Sequence, residues 1–145
     1  MSLANSKTYV SLLGTGVTNG ATVTANIDTF GIKGPITIEL ILGTTNTPTN
    51  TLTTLKLAQS DDTVVTNFAN ISGFVGGTDF TIANQSSSVA NVYRFDVDTR
   101  GRKRYIKLSA SPVTTQEMVV VAKLGKPEAH PDTATEAGVT QLVQG

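Results

Sequence analysis

The chain has no cysteine, no tryptophan and one histidine among its 145 residues. Without cysteine it forms no disulfide bonds and offers neither a thiolate nucleophile nor a cysteine-ligated metal site. Helical periodicity and long apolar runs are also lacking, so the sequence predicts neither a helical core nor a membrane-spanning segment. The first residues have no basic start followed by an apolar run, and we therefore expect synthesis in the cytoplasm without processing.

Charge is scarce as well. Charged residues make up 15% of the chain and the formal net charge is +0, whereas globular domains usually carry about 25%. A balanced charge gives no general attraction to nucleic acid or to an acidic membrane. The length suits one domain with a proper core. We expect that domain over residues 7–125, with an N-terminal arm over 1–6 and an extended C-terminal arm over 126–145.

Apolar and polar residues alternate through most of the chain, with many Thr, Val and Ile, and this pattern predicts about nine short strands. Their regular spacing is typical of a β-sandwich or barrel. Asn19-Gly20 favours a type I′ hairpin, and Gly101 is expected at positive φ. The predicted strands are Tyr9–Leu13, Ala21–Asp28, Pro35–Gly43, Leu52–Ala58, Thr63–Ala69, Thr78–Ala83, Val89–Asp98, Lys103–Ser109 and Met118–Leu124.

The stretch Val89–Leu108 holds six of the eleven Lys and Arg residues. We interpret it as two strands joined in a hairpin at Gly101, with one concentrated basic edge that serves as a contact surface. Alternation places Tyr93, Phe95 and Val97 in the core, with Arg94, Asp96 and Asp98 on the opposite face. The two aspartates are expected to pair across the hairpin with Arg102, Arg104 or their neighbours.

Residues suited to catalysis are few. The single histidine, His130, lies in the predicted C-terminal arm, where no rigid scaffold would orient it. Asp61, Asp62 and Asp79 are candidate calcium ligands, but adjacent aspartates are more typical of a solvated turn. Arg and Tyr side chains of the basic stretch also suit nucleic acid, although the interleaved aspartates would repel phosphate. We expect no enzyme activity, no metal and no cofactor.

The segment DVDTRGRKRYIKL, Asp96–Leu108, resembles a pattern of small capsid decoration, or cement, proteins of tailed bacteriophages. IDTFG before an apolar strand, TLKLAQSDD before an acidic turn, and a final Val-rich strand follow in the matching order over Ile27–Leu124. The resemblance implies a jelly-roll-like antiparallel β-sandwich of about eight strands. It also implies a homotrimer that binds the major capsid protein lattice on the exterior of the virion.

Carried over from this motif, the candidate contacts with other subunits or the capsid are Arg94, Asp96, Asp98, Arg100, Arg102, Arg104 and Tyr105. Composition adds the C-terminal arm, whose sizeable apolar residues Val139, Leu142 and Val143 are expected to anchor it on a neighbour unless it is a frayed tail. The alternative function is a carbohydrate- or receptor-binding β-sandwich module of a phage tail or fibre. The few aromatic residues count against sugar binding.

Overall fold

The computed structural model describes residues 7–124 and 140–144, so residues 1–6 and most of the predicted C-terminal arm, including His130 and Val139, lie outside it. A single 3-10 turn at Val65–Asn67 is the helical element of the described ranges, and nothing in them forms a helix able to cross a membrane. The strands are β1 (Lys7–Val17), β2 (Val23–Asp28), β3 (Pro35–Leu42), β4 (Thr54–Ser60), β5 (Ala69–Val75), β6 (Asn91–Asp98), β7 (Tyr105–Ser111), β8 (Gln116–Leu124) and β9 (Gln141–Gln144).

The strands form two sheets, ordered β1-β8-β3-β6-β9 and β2-β7-β4-β5. Each of the first four strands pairs antiparallel with one of the next four, in the order β1·β8, β2·β7, β3·β6 and β4·β5. Taken in this order, the four pairs form one long antiparallel ribbon. Rolling that ribbon brings β3 beside β8 and β4 beside β7, which closes the two sheets. This is the jelly-roll arrangement. The predicted jelly-roll β-sandwich of about eight strands is therefore confirmed.

The inner faces of the two sheets supply one hydrophobic core, as the alternating pattern predicts. The apolar face predicted on β6 is fully buried. Ile36, Ile38, Leu40 and Leu42 form the buried face of β3, and Ala25 and Ile27 of β2 meet these faces from the opposite sheet. Phe95 lies near the centre, with its ring 6.2 Å from that of Phe74 on β5 and 6.2 Å from that of Phe80. Burial of these branched and aromatic side chains is the main stabilising term of the sandwich.

The predicted hairpins are wrong. β6 and β7 lie in different sheets, so the turn at Gly101 crosses from one sheet to the other, and β1 and β2 are likewise separated. Asn19 has no positive φ, although a type I′ turn requires it at both central residues. The physical reason is the rolled ribbon, in which most strands pair with a partner that is distant along the chain. Alternation locates strands, but it does not reveal which strands pair.

Two predicted strands are also wrong. Over Thr63–Ala69, Asp62 accepts hydrogen bonds from the Val64 backbone N–H (2.9 Å) and the Asn67 side chain (2.9 Å), which curl the chain so that β5 begins at Ala69. Over Thr78–Ala83, the Asp79 carboxylate accepts bonds from the backbone N–H groups of Gly73 and Val75. This second segment makes one isolated bridge and no strand.

β9 is a strand that the sequence did not predict. It pairs in parallel with β6, and its start is fixed by the Thr140 N–H, which donates to the Val92 carbonyl at 2.6 Å. The Gln141 side chain accepts from the Ala83 N–H and donates to the Thr81 carbonyl, each at 2.8 Å. Val143 lies beside Phe95 and is 7% exposed. β9 thus covers the edge of β6 and holds the connection between β5 and β6.

Candidate interaction surface

Three connections meet at one end of the sandwich, and we call this surface the loop end: residues 29–34 between β2 and β3, 61–68 between β4 and β5, and 99–104 between β6 and β7. The Thr99 hydroxyl accepts from the Gly34 N–H at 2.9 Å and donates to the Ile32 carbonyl at 3.1 Å. The Gln59 side chain accepts from the Lys103 N–H at 3.1 Å. These bonds join the β2–β3 and β6–β7 connections and tie the latter to the end of β4.

The β6–β7 connection is a tight turn in which the Arg102 N–H donates to the Thr99 carbonyl at 3.1 Å. Gly101 adopts the predicted positive φ, 76°, at the third position of this turn. A side chain there would be strained, because L-residues rarely adopt that conformation. The turn therefore presents Arg100, Arg102, Lys103 and Arg104 in a defined order at the loop end.

Arg104 organises the centre of the loop end. Its guanidinium makes a bidentate ion pair with Asp28, with Nε–Oδ1 and Nη2–Oδ2 distances of 2.9 Å. It also lies over the Phe30 ring, 4.8 Å from the centroid, and over the Tyr105 ring at 4.9 Å. The carboxylate raises the pKa of Arg104, so its charge is permanent. A planar guanidinium suits this stacked, bidentate position in a way that an ammonium group does not.

The other cations of the turn have partners close by. Arg100 binds Asp98 through its side chain, with an Nη2–Oδ2 distance of 2.6 Å, and its backbone N–H donates to the same carboxylate. These hydrogen bonds lower the pKa of Asp98 to about 2. Lys103 lies 3.6 Å from Asp61. The concentrated basic edge predicted from the sequence is therefore largely neutralised in the folded chain.

The expected pairing of Asp96 and Asp98 across a hairpin is wrong, because the strands it requires lie in different sheets. Each aspartate instead binds an arginine two residues away along the chain. Arg102 is placed differently from its neighbours, with its guanidinium 5.8 Å from the centroid of the Phe74 ring. Within the described ranges, the ion pairs do not include Arg102.

Exposed apolar side chains complete the loop end. Phe30 is 66% exposed, Val64 52% and Val65 75%, and of the large apolar residues described the remaining strongly exposed one is Val89, at the opposite end of the sandwich. Phe30, Val64 and Val65 were not among the contact residues predicted from the sequence. The signals were present: Phe30 lies in the IDTFG piece of the resemblance, and Asp61-Asp62 predicts a turn that removes the following valines from a strand.

Arg94 and Asp96 lie apart from the loop end, on the outer face of the five-stranded sheet. Their Nε–Oδ1 distance is 2.8 Å, and their side chains are 13% and 7% exposed. Thr37 of β3 donates to Asp96 at 3.2 Å, which joins the two strands. The structure thus divides the seven predicted contact residues. Asp98, Arg100, Arg102, Arg104 and Tyr105 meet at one end, and Arg94 and Asp96 stabilise a sheet face.

The remaining candidate residues lie in β9 and in two loops. Leu142 and Val143 lie in β9, where they pair with Arg94 and Phe95 of the same chain, so the anchoring of an arm on a neighbour stays a prediction. Asp62 and Asp79 accept hydrogen bonds that close their own loops. Among residues 7–124 and 140–144, the structure gathers no group of three His, Asp or Glu side chains that is suited to a metal.

The fold is a jelly-roll β-sandwich, and the loop end is its candidate interaction surface. No protein-family model and no curated protein matches the chain. A crystal structure of the infectious bursal disease virus VP2 subviral particle is similar at a TM-score of 0.48 and 12% identity, over 83% of this chain and 33% of that one. The chain thus spans about a third of that protein's length.

Two further structures are similar. The STIV MCP aligns at a TM-score of 0.38 and 13% identity, over 90% of this chain and 50% of that one. A family 35 carbohydrate-binding module from Clostridium thermocellum aligns at a TM-score of 0.34 and 8% identity, over 82% of this chain and 92% of that one. The assignment of the jelly roll does not depend on these similarities, because it follows from the strand order.

Proposed function

We propose that this protein is a non-enzymatic structural subunit of a virion, a decoration or cement protein that binds the major capsid protein lattice from outside. It is made in the host cytoplasm and acts as a homotrimer on the capsid exterior. The resemblance over Asp96–Leu108 and the jelly-roll topology support this proposal. The observation that carries it is the loop end, where exposed Phe30, Val64 and Val65 lie among arginines.

The composition of the loop end suits a protein interface. Aromatic and arginine side chains dominate the binding energy of such interfaces, and charged pairs at the rim contribute little affinity. At the loop end Phe30 and Arg104 form a stacked pair, while the Arg100–Asp98 and Lys103–Asp61 pairs are exposed. Binding energy would then come mainly from the apolar contact. A lattice multiplies modest single-site energies, because each particle offers many copies.

The test compares shell binding by variants at opposite ends of the sandwich. Phe30→Ser with Val65→Ser is expected to weaken cosedimentation with shells assembled from the major capsid protein of the same virus by at least tenfold. Val89→Ser is the matched control, because Val89 is 61% exposed and lies at the other end. Arg102→Glu with Arg104→Glu should also weaken binding. All variants should keep the β-sheet spectrum of the parent protein.

The oligomeric state is measured in parallel by sedimentation velocity. A trimer that binds shells through the loop end agrees with the proposal. A strict monomer that fails to bind shells contradicts it, as does loss of binding in Val89→Ser with none in the loop-end variants.

A further inference from the structure

A groove runs across the outer face of the four-stranded sheet, the face opposite the core. It encloses about 320 Å³ and receives side chains from all four strands and from the turn before β5. This volume is at the small end of the range of ligand sites, about 300–1,000 Å³. We call it the outer groove. Its lining residues are Thr22, Thr24, Thr54, Lys56, Ala58, Phe68, Asn70, Lys107 and Ser109.

The shape of the outer groove follows from the sizes of its side chains. Ala58 and Ser109 lie in the middle of the sheet and are 3% and 4% exposed, so they form a low floor. Ala58 pairs in register with Lys107, and Ser109 pairs with Lys56. Long side chains therefore stand beside short ones on adjacent strands. Phe68, which ends the 3-10 turn, lies at the rim against Lys107, whose Nζ is 4.3 Å from the ring centroid.

Charge in the outer groove is unbalanced. Lys56 and Lys107 are diagonal neighbours on β4 and β7, a placement that sets such positions about 7–8 Å apart. Among the described residues, the ion pairs involve neither lysine. Two like charges in one groove repel each other, and an anion bound between them would relieve that repulsion. The loop end differs, because there most cations already have a carboxylate.

The rest of the lining is rich in groups that both donate and accept hydrogen bonds. Hydroxyls of Thr24, Thr54 and Ser109 and the amide of Asn70 face the groove, and no hydrogen bond among the described residues engages these side chains. Sugar hydroxyls also donate and accept, so such a lining matches them. The Phe68 ring adds an apolar surface beside the polar groups, which suits the C–H face of a sugar ring.

We propose that the outer groove binds an acidic saccharide, with a carboxylate or sulfate group between Lys56 and Lys107. The sugar hydroxyls bond to the threonine, serine and asparagine side chains, and a ring face packs against Phe68. An acidic peptide would satisfy the lysines equally well, but a sugar offers more groups that both donate and accept at one atom, as the hydroxyl-rich lining does. This site goes beyond the proposed capsid role and lies on the outer face of the four-stranded sheet, where it shares only Phe68 with the loop end.

Heteronuclear NMR titration of the full chain tests the proposal. Trigalacturonate and 3′-sialyllactose serve as acidic probes, and lactose is the neutral control. We expect the acidic probes to shift backbone signals of β4 and β7 with millimolar or tighter affinity, and to bind at least tenfold more tightly than lactose. Affinity should fall as salt is added, because the anion contact is electrostatic.

Variants locate the binding. Lys107→Met and Lys56→Met should each weaken the acidic probes about tenfold or more, since each removes a charge-assisted contact. Lys33→Met is the matched control, because Lys33 is exposed in the β2–β3 connection, outside the groove, and it should bind as the parent does. Ala58→Leu would raise the floor and block the probes; its amide spectrum shows whether it is folded.

Absence of binding by both acidic probes overturns the proposal, as does equal binding of lactose. A tetraglutamate peptide that binds more tightly than both saccharides would also overturn it, in favour of an acidic peptide ligand. Neither the loop-end substitutions nor Val89→Ser changes a residue that lines the groove, so failure here is distinguishable from failure of the capsid proposal.

Discussion

Substitution of Val143 tests whether β9 belongs to the fold of its own chain. Its side chain points to the core beside Phe95 and is 7% exposed. Changing Val143 to Ala removes two buried carbon atoms, which costs about 1.5–2.5 kcal/mol when the transfer and cavity contributions are combined. For a domain of this size that loss lowers the Tm by roughly 3–10 °C. Val89→Ala makes the same chemical change at an exposed site and should stay within about 0.5 kcal/mol.

Thermal and urea unfolding of both variants, each followed by circular dichroism, provide the measurement. If Val143→Ala and Val89→Ala unfold together, β9 does not sit against the core and the described pairing with β6 is wrong. Repeating the measurement at several protein concentrations distinguishes a β9 that pairs within its own chain from one supplied by a neighbour, because only the second makes the Tm depend on concentration. A loss of stability confined to concentrations at which the chain is oligomeric would place β9 on the neighbour, as the arm prediction requires.

Two further predictions concern single hydrogen-bonded groups. Tyr93 is fully buried and its hydroxyl donates to the Ala83 carbonyl at 2.7 Å; burial raises the pKa of this phenol, so it stays a donor at alkaline pH. Tyr93→Phe should cost about 1–3 kcal/mol in urea unfolding because the carbonyl loses its partner, and an unchanged midpoint would contradict this. Asp98 has its pKa lowered to about 2 by the Arg100 hydrogen bonds, so its stabilisation is present above the unfolded pKa and is lost as the pH falls towards 2. The Tm difference between the parent and Asp98→Asn should therefore shrink from pH 5 to pH 2, whereas a constant difference would show that the ionised carboxylate is not the stabilising group.

Sequence patterns predicted the strands and their buried faces where alternation is long. The runs on β3 and β6 place most of their large apolar side chains on one face, and the structure buries that face. The sequence patterns predicted strands wrongly where a polar side chain bonds to the nearby backbone. Asp62 and Asp79 each bond to nearby groups and bend segments whose composition is typical of strands. β9 was missed because a four-residue strand at an existing sheet edge needs little pattern of its own.

The candidate surface was predicted in part, for a reason that lies in the topology. Spacing along β6 and β7 indicated the arginines, but Asp28 at the end of β2 and Phe30 in the β2–β3 connection lie more than seventy residues away from Arg104 in sequence. Only the rolled ribbon brings the β2–β3 connection to the same end as the β6–β7 turn. The sequence therefore indicated the position of the cations without indicating that aspartates would neutralise most of them.

Whether its lysines and arginines are already paired with carboxylates decides what kind of partner each surface suits. At the loop end the Asp28, Asp61 and Asp98 carboxylates already bind cations, so a partner gains little from charge and more from covering Phe30 and the two valines. In the outer groove the situation is reversed, because its two lysines have no such partners among the described residues and its lining is mostly polar. A protein shell suits the first surface and a small anionic ligand suits the second. Of the residues that line the groove, Phe68 alone also lies in a loop-end connection, so one jelly roll can present both surfaces.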